Sequence, residues 1–344
     1  MDAFAKPKLD DVAREAGVST ATVSRCLNEP GKVTAATRDR VMRAVEALGY
    51  TPNFGGKALA SQKTSTVGAV LPTLDNAIFA RGLQSFQETL SAAGVTLLVA
   101  SSGYDADRED EQIRALIGRG ADGILLIGTA RRPAAYEFLK RARTPYVIAW
   151  SIGEAGETSV GFDNVGAARE MARRVIAEGH RRIAMISGIT HMNDRAAGRV
   201  EGVCQALREA GIETADLVVD EVRYAFDEAG EALERLMSRN DPPTAIICGN
   251  DVLGVGAIAR AKQLGLVVPS DLSITGFDDI DIASIVEPGL TTVHVPHRRM
   301  GTAAAETLLA LIDGRPVSET VLLETTICDR GSLGPAPAGN RPRP

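Results

Sequence analysis

Cysteine and long apolar runs are scarce in this chain. The four cysteines, Cys26, Cys204, Cys248 and Cys328, have no Cys-x-x-Cys spacing, which argues against a zinc site and is typical of reduced thiols in a cytosol. The N-terminus has no apolar signal stretch, and no run approaches the ~20 apolar residues that span a bilayer. We expect a cytoplasmic protein without a bound metal or cofactor and without a membrane partner.

An excess of positive charge is also lacking, and the two ends of the chain differ in charge. The net charge is −6 over 344 residues, of which 44% are apolar. Residues 1–65 contain ten Lys and Arg against seven Asp and Glu, whereas the remainder contains 28 against 37. A mildly basic N-terminal segment on an acidic body fits a DNA-binding segment joined to a separate, larger domain.

Residues 9–28 predict two short helices joined by a tight turn. The apolar positions of the first helix follow one stripe, Gly17 suits the left-handed residue that ends it, and Ser19 suits the N-cap of the next. The second helix would bury Val23 and Cys26 and turn small, hydrogen-bonding side chains outward. This surface fits the major groove of DNA, although an ordinary helical hairpin with a polar exterior has the same spacing.

A third helix follows, and after a linker the chain alternates between strands and helices. Thr34 predicts the start of the third helix and Gly49 its end. From Thr66 onward, short apolar strands alternate with helices, which predicts parallel, doubly wound α/β sheets. The alternation forms two similar halves, the second beginning at Val165. We therefore expect a cleft between two lobes, at the carboxyl ends of their strands.

A set of short motifs spans the N-terminal helices and the linker: Asp11-Val12-Ala13, Gly17-Val18-Ser19, Thr22-Val23-Ser24-Arg25, Leu27-Asn28, Thr37-Arg38, Leu48-Gly49-Tyr50, Pro52-Asn53 and Lys57-Ala58-Leu59. Together they resemble the lactose-repressor (LacI/GalR) family of bacterial transcription regulators. The resemblance extends from about Lys8 to about Asp329.

The resemblance implies an α/β protein with three parts. These are a helix-turn-helix DNA-binding domain of three helices (8–54), a hinge linker (55–65) and a periplasmic-binding-protein-like effector domain of two lobes (66–330). The N-lobe would comprise about 66–162 and 294–320, and the C-lobe about 163–293 and 321–330, with a last strand near Val321 to Ile327. Residues 331–344, rich in Gly and Pro, would form a disordered tail.

The same resemblance assigns roles in DNA binding. Thr20, Ala21 and Arg25 match residues that face bases, and Ser19, Thr22, Ser24 and Asn28 match those that hold phosphates. Lys57, Ala58 and Leu59 lie in the hinge, which in the family folds on operator DNA, with the residue that matches Leu59 wedged into a minor-groove step. Because Ala21 offers no hydrogen bond, Arg25 and Thr20 would carry much of the base recognition.

Residues that follow strands are the candidates for the cleft. Trp150 offers an aromatic face to a sugar, unless it is a core residue. Arg195 and Arg199 share a helix face and would hold a carboxylate or a phosphate, although a solvated pair has the same spacing. Arg199 also matches the effector-binding arginine of the family's Arg-x-x-Gly pattern. The resemblance adds Asn76, Phe79, Asp163, Asp278 and Asp251, the last of which would alternatively cap a helix.

An enzyme is the alternative class to consider, because this kind of sheet also carries enzymes. Gly254, Gly256 and Ala259 formally satisfy a dinucleotide fingerprint, but the glycines fall inside a predicted helix rather than in the turn before it. The four histidines have no helical metal-ligand spacing, and no Gly-x-Ser-x-Gly elbow occurs. We therefore do not expect an enzyme.

The expected function is an allosteric repressor of a carbohydrate catabolic operon. It would bind a pseudo-palindromic operator as a homodimer, or as a tetramer. Residues 160–171 resemble gluconate-responsive members of the family, so the expected effector is a sugar or a sugar acid such as gluconate or a related aldonate. A regulator that responds to a nucleobase and a solute-binding protein without a DNA role are the alternatives.

Overall fold

A computed structural model describes residues 6–51, 63–75 and 77–337. The chain divides into two compact units, which we call the head (Met1–Thr64) and the body (Ser65–Pro344). Each unit has its own hydrophobic core. None of the helices in the described ranges is long and apolar enough to cross a membrane.

The head contains three helices, α1 (Leu9–Ala16), α2 (Thr20–Asn28) and α3 (Ala35–Leu48), with a short 3-10 turn at Pro30–Lys32. Gly17 and Gly49 end α1 and α3 at φ of 61°, the left-handed conformation that glycine adopts without strain. Val12, Val23 and Val41, one from each helix, are fully buried and meet in the core. The predicted three helices and their end residues are thus confirmed.

The body contains two lobes, each built on a six-stranded sheet. The N-lobe sheet has the order β11-β5-β4-β3-β1-β2, and its pairings are parallel. Its elements are β1 (Thr66–Leu71), α4 (Ala77–Ala92), β2 (Thr96–Ser101), α5 (Ala106–Gly118), β3 (Gly123–Ile127), α6 (Pro133–Ala142), β4 (Tyr146–Ala149), β5 (Ser159–Gly161), α12 (His297–Ile312) and β11 (Thr320–Leu322).

The C-lobe sheet has the order β12-β10-β9-β8-β6-β7, and only β12 runs antiparallel to its neighbour within it. Its elements are α7 (Asn164–Ala177), β6 (Ile183–Gly188), α8 (Asp194–Glu209), β7 (Val218–Val222), α9 (Phe226–Met237), β8 (Ala245–Cys248), α10 (Asp251–Gln263), β9 (Ser273–Asp278), α11 (Asp281–Ile285), β10 (Thr291–His294) and β12 (Thr326–Cys328). The doubly wound architecture predicted from the alternation is therefore confirmed.

The chain crosses between the lobes three times, after β5, after β10 and between β11 and β12. The third crossing corrects the predicted last strand near Val321 to Ile327, which is two short strands in different sheets. The N–H of Leu323 bonds the carbonyl of Gly161 in the N-lobe at 2.8 Å, and the next strand pairs with β10. Residues 321–322 thus belong to the N-lobe and His294 to the C-lobe, the reverse of the predicted assignment.

The beginning of the predicted disordered tail is packed on the C-lobe. Ser332 is fully buried, and its hydroxyl donates to the Ile274 carbonyl at 2.6 Å. The Gly334 carbonyl lies 3.0 Å from Nε2 of His180. The prediction was wrong for this segment because its small residues fit against the sheet and satisfy buried polar groups. Residues 338–344 lie outside the described part of the chain.

Candidate effector pocket and DNA-reading helix

Helix α2 displays the predicted DNA-contacting side chains on its outer face. Val23 and Cys26 turn inward and are buried, which makes Cys26 a core thiol. Ala21, Arg25 and Asn28 are exposed. The remaining residues assigned to DNA on this helix and its cap, Ser19, Thr20, Thr22 and Ser24, are exposed or half-buried on the same surface.

Local hydrogen bonds hold side chains of this surface in place. The Ser19 hydroxyl caps α2 by accepting the Thr22 N–H at 3.2 Å, as predicted. The Asn28 amide donates to the Ser24 carbonyl at 2.9 Å. The hinge residues Lys57, Ala58 and Leu59 lie outside the described residues.

Arg199 is the centre of the candidate effector pocket, at the carboxyl ends of the C-lobe strands. It extends from α8 and is 3% exposed. Its guanidinium donates to Oδ1 of Asn164 at 3.1 Å, to the Gly249 carbonyl at 2.6 Å and to Oδ1 of Asp278 at 3.4 Å. It also stacks on the Phe277 ring, 3.8 Å from the ring centre. These contacts are all with residues of the C-lobe, and they hold one charged fork in a fixed position.

Asp163 does not reach this cluster, and its neighbour Asn164 does. Asp163 is exposed and caps α7 by accepting the Gly166 N–H at 2.9 Å. Asn164 is buried, and its amide also donates to the Trp150 carbonyl at 3.0 Å. The structure therefore corrects the prediction by one residue, because the helix cap takes the aspartate side chain away from the cleft.

Trp150 is a core residue and offers no open face to a sugar. It is 1% exposed, packs edge-to-face on Phe79 with ring centres 5.5 Å apart, and lies against Gly82, where even a Cβ atom would be 2.5 Å from the ring. Phe79 is equally buried. The stacking role predicted for Trp150 was wrong, since α4 and α12 cover the ring.

The buried Trp150 instead orients His297, which the sequence reasoning did not select. The indole N–H, which can only donate, lies 3.2 Å from Nδ1 of His297. Nδ1 therefore accepts, and the proton of the neutral ring sits on Nε2. Burial lowers the pKa of His297 to about 3, so the ring stays neutral at physiological pH. Nε2 has no hydrogen-bond partner and is 3.9 Å from Oδ1 of Asp278.

Asp251 neither caps α10 nor has a free oxygen for an effector. It is fully buried, and its two oxygens accept from the Ile280 N–H at 2.7 Å and the Thr292 hydroxyl at 2.5 Å. Asn250 is the cap, through the Leu253 N–H at 2.9 Å. The Nδ2 group of Asn250 is buried without a partner. The predicted effector role thus fits Asn250 better than Asp251, and the helix start explains the difference.

Arg195 lies where the two lobes meet. It is 5% exposed and pairs with Asp194 at 2.9 Å. Asp194 in turn accepts a hydrogen bond from the hydroxyl of Ser151, which follows the N-lobe strand β4, at 2.5 Å. Arg195 is therefore a buried interlobe residue rather than a solvated surface pair.

The cleft is closed at its mouth by two tyrosines from opposite lobes. The rings of Tyr104 and Tyr224 have centres 6.4 Å apart. Both side chains line a cavity of about 560 Å³, together with Asn193 and His191. Burial raises the pKa of Tyr104 well above its usual value, so its hydroxyl remains a donor. A molecule the size of a sugar fits this volume. Arg199 is not among the residues that line the cavity. Asn76 lies outside the described residues.

Three buried side-chain atoms around Arg199 lack hydrogen-bond partners: Oδ2 of Asp278, Nε2 of His297 and Nδ2 of Asn250. Such atoms are costly to leave unpaired inside a protein. Asp278 adopts φ of 104°, a strained conformation that turns it at the end of β9. Burial raises its pKa to about 6 against the opposing effect of Arg199. One acceptor and two donors are thus unpaired close to the Arg199 guanidinium, where a polar ligand could bind them.

We expect the free energy of unfolding to fall by about 1 to 2 kcal/mol between pH 6.5 and 8, with Asp251 as a main cause. Burial, reinforced by Asp278, raises its pKa to about 8. The folded chain therefore holds a proton that the unfolded chain has released near pH 4, and this stabilisation is lost as the pH rises through 8. Burial lowers the pKa values of His180 and His297, so these two groups contribute a smaller change of the opposite sign near pH 6.5.

Denaturant unfolding at several pH values checks this expectation. Asp251→Asn keeps a carbonyl for the Ile280 N–H and an amide for the Thr292 hydroxyl, and it removes the titration. The variant should show a flatter dependence than the parent chain. Equal slopes in both would show that Asp251 does not carry the dependence.

The head and the two-lobed body define the class of protein: a regulator whose DNA-reading helix is joined to a small-molecule cleft. Comparison with known proteins agrees. Residues 8–53 match the model described as bacterial regulatory proteins, lacI family, and residues 172–333 match the periplasmic binding protein-like domain. The HTH-type transcriptional regulator GntR of Escherichia coli K12 is 34% identical over 331 residues, covering 95% of this chain and 99% of its own.

Solved structures give the same result. A LacI-family transcriptional regulator from Silicibacter pomeroyi superposes with a TM-score of 0.88 at 27% identity, covering 95% of this chain and 99% of its own. The regulator CelR, solved in complex with cellobiose, superposes with a TM-score of 0.69 at 32% identity, with the same coverage. The chain therefore belongs to the LacI family, and it is a DNA-binding transcription regulator rather than an enzyme.

Proposed function

We propose that this regulator is a cytoplasmic repressor of a carbohydrate catabolic operon, and that its effector is a sugar acid such as gluconate or a related aldonate. The observation that carries the proposal is the set of unpartnered polar atoms around Arg199. A carboxylate takes hydrogen bonds only as an acceptor, and Arg199, Nε2 of His297 and Nδ2 of Asn250 are donors. Oδ2 of Asp278 would accept from a ligand hydroxyl.

The charges of the pocket also bear on the effector. Arg199 and Asp278 balance each other, and so do Arg195 and Asp194. An anionic ligand bound at Arg199 would compete with Asp278, and the raised pKa of Asp278 would let this carboxyl take up a proton when the ligand neutralises Arg199. An uncharged sugar would require no such change. Resemblance of residues 160–171 to gluconate-responsive members supports the acid.

The proposal includes a homodimer on a pseudo-palindromic operator, because a single head reads only half of such a site. The C-lobe has large apolar side chains for a contact with a second copy. Phe226 is 48% exposed beside a groove between α9 and α10, and Ile285 is 76% exposed at the end of α11. Measuring the mass of the protein in solution shows whether two dimers associate into a tetramer.

Control of DNA binding would follow from closure of the lobes. An effector that binds one closure state more tightly shifts the population toward that state. The N-lobe follows the hinge linker directly in the chain, so a change in lobe position alters the spacing of the two hinges in a dimer. A coupling of about 1 to 3 kcal/mol is typical of such systems.

We expect gluconate to raise the melting temperature of the full chain by several degrees at saturating concentration, since a ligand at 100 times its dissociation constant adds about 2.7 kcal/mol. Sorbitol is the matched control, because it keeps the hydroxyls and lacks the carboxylate. It should stabilise the chain much less. Equal stabilisation by gluconate and sorbitol would show that the pocket does not recognise the carboxylate.

A nucleobase is the alternative effector, and the pair formed by Tyr104 and Tyr224 favours it. Tyr104 and Tyr224 are aromatic side chains on either side of the cavity, and a flat base could stack between them. Purines therefore belong in the same thermal screen. If purines alone stabilise the chain, the effector is a nucleobase rather than a sugar acid.

A further inference from the structure

Three metal-ligating side chains meet outside the effector pocket, at one edge of the C-lobe sheet. Asp279 directly follows β9, His294 ends β10 and Cys328 ends β12. These three strands are neighbours in the sheet. Within the ranges 6–51, 63–75 and 77–337, this is the group of His, Cys, Asp or Glu whose donor atoms all lie within 4.8 Å of one another.

The distances in this cluster are close to those of a tetrahedral metal site. Nδ1 of His294 is 2.8 Å and Sγ of Cys328 is 3.5 Å from the same atom, Oδ2 of Asp279. Zinc–ligand bonds of about 2.0 to 2.3 Å in tetrahedral geometry place ligand atoms about 3.3 to 3.5 Å apart. The sulfur is already at that separation, and the imidazole needs to move by about half an ångström.

The surroundings leave the required donor atoms available. Arg330 holds the other oxygen of Asp279, Oδ1, at 2.5 Å, which fixes the carboxylate and leaves Oδ2 for an ion. The His294 side chain is 44% exposed, so solvent and ions reach the cluster. His294 can carry its proton on Nε2 when Nδ1 binds an ion.

We propose that Asp279, His294 and Cys328 bind a divalent cation of the zinc class, with a water molecule as the fourth ligand. A donor set of one nitrogen, one oxygen and one sulfur suits zinc and cobalt and does not suit magnesium or calcium. On binding, the Cys328 thiol loses its proton to solvent and a sulfur–metal bond forms, so one proton is released per ion.

The position of the site gives the ion a structural consequence. Asp279 is adjacent to Asp278 of the effector cluster. His294 immediately precedes the second crossing between the lobes, and Cys328 follows the third. A bound ion would therefore join the ends of three strands beside two of the crossings. Chain distance hides this group from sequence reasoning, because the spacings of the cysteines and of the histidines along the chain both argue against a metal site.

Cobalt(II) added to the full, metal-free chain is the probe for this site. We expect one cobalt per chain, a thiolate-to-cobalt charge-transfer absorption, and displacement by zinc. Cys328→Ser should abolish that absorption, and His294→Gln should weaken cobalt binding at least about tenfold. Both residues are partly exposed, and melting temperatures verify that the variants are folded.

Cys204→Ser is the matched control, because Cys204 is also a half-buried thiol but, among the described residues, belongs to no group of metal-ligating side chains that meets the same distances. It should bind cobalt as the parent chain does. Absence of the charge-transfer absorption in the parent chain, or its persistence in Cys328→Ser, would overturn the proposal.

Discussion

Replacement of Arg199 by methionine should raise the effector concentration needed to change operator affinity at least about 30-fold. Arg199 contacts Asn164, the Gly249 carbonyl and Asp278 together. Loss of a buried, hydrogen-bonded charge on one side of a recognition site costs about 2 to 5 kcal/mol, which corresponds to a factor of this size or more. Methionine keeps most of the volume and none of the donors.

The unfolding of this variant also has an expected direction. Without the guanidinium, the Asp278 carboxyl loses the opposite charge that holds its pKa down, so its pKa should rise further above 6. A protonated Asp278 limits the cost of the unpaired charge at neutral pH. The variant should therefore stay folded while its stability falls as the pH is raised.

Arg208→Met is the control for the Arg199 variant. Arg208 lies on the same helix, α8, but is exposed and pairs with Glu201. Effector titrations of operator binding, read by fluorescence anisotropy, should be unchanged in Arg208→Met. If the Arg199→Met protein responds at the same effector concentration as the parent chain, Arg199 does not bind the effector.

Replacement of Arg25 by alanine should weaken operator binding about 10- to 100-fold. Arg25 is the exposed basic side chain of α2, and Ala21 beside it has no hydrogen-bonding group. One arginine that contacts a base edge is worth about 1 to 3 kcal/mol. The loss should be smaller on unrelated DNA, because a contact to a base carries sequence information and a contact to a phosphate does not.

Arg43→Ala controls for charge, since Arg43 is an exposed arginine on α3 of the same head. Anisotropy titrations on operator and unrelated DNA at one salt concentration separate the two cases. If Arg25→Ala and Arg43→Ala weaken binding equally and on both DNAs, Arg25 acts only through its charge. That outcome would contradict its assigned role in reading bases.

The head could be predicted closely from the sequence because its signals are local. Gly17, Ser19 and Gly49 mark helix ends by backbone chemistry that depends on a few neighbours. The alternation of strands and helices likewise predicted both sheets. The sequence did not predict that β11 and β12 are two separate strands, since a three-residue crossing between sheets leaves the same apolar pattern as one continuous strand.

The sequence predicted where the pocket lies, but not all of the residues that form it. Strand ends indicated the correct edge of each sheet, yet Asp163 and Asp251 were chosen where Asn164 and Asn250 supply the polar atoms. Which of two adjacent side chains faces the cleft depends on the helix start that follows. Each asparagine is adjacent in the sequence to the aspartate that was chosen, and cap geometry was the signal that could have separated them.

Trp150 and His297 show a second limit of sequence reasoning. They lie 147 residues apart in the chain, and only the return of α12 to the N-lobe brings them into hydrogen-bonding contact. A tryptophan after a strand indicates an aromatic wall, but not the helices that cover it. Long-range packing thus decided both the burial of Trp150 and the donor that His297 presents.

A ligand held between the two lobes is expected to control how tightly the head binds DNA. The most direct test is the affinity of the full chain for the DNA that flanks its gene, measured with and without each ligand that raises the melting temperature. We expect a saturable change of about 5- to 150-fold with the sugar acid, absent in Arg199→Met. An operator affinity that stays the same when such a ligand fills the cleft would contradict the account.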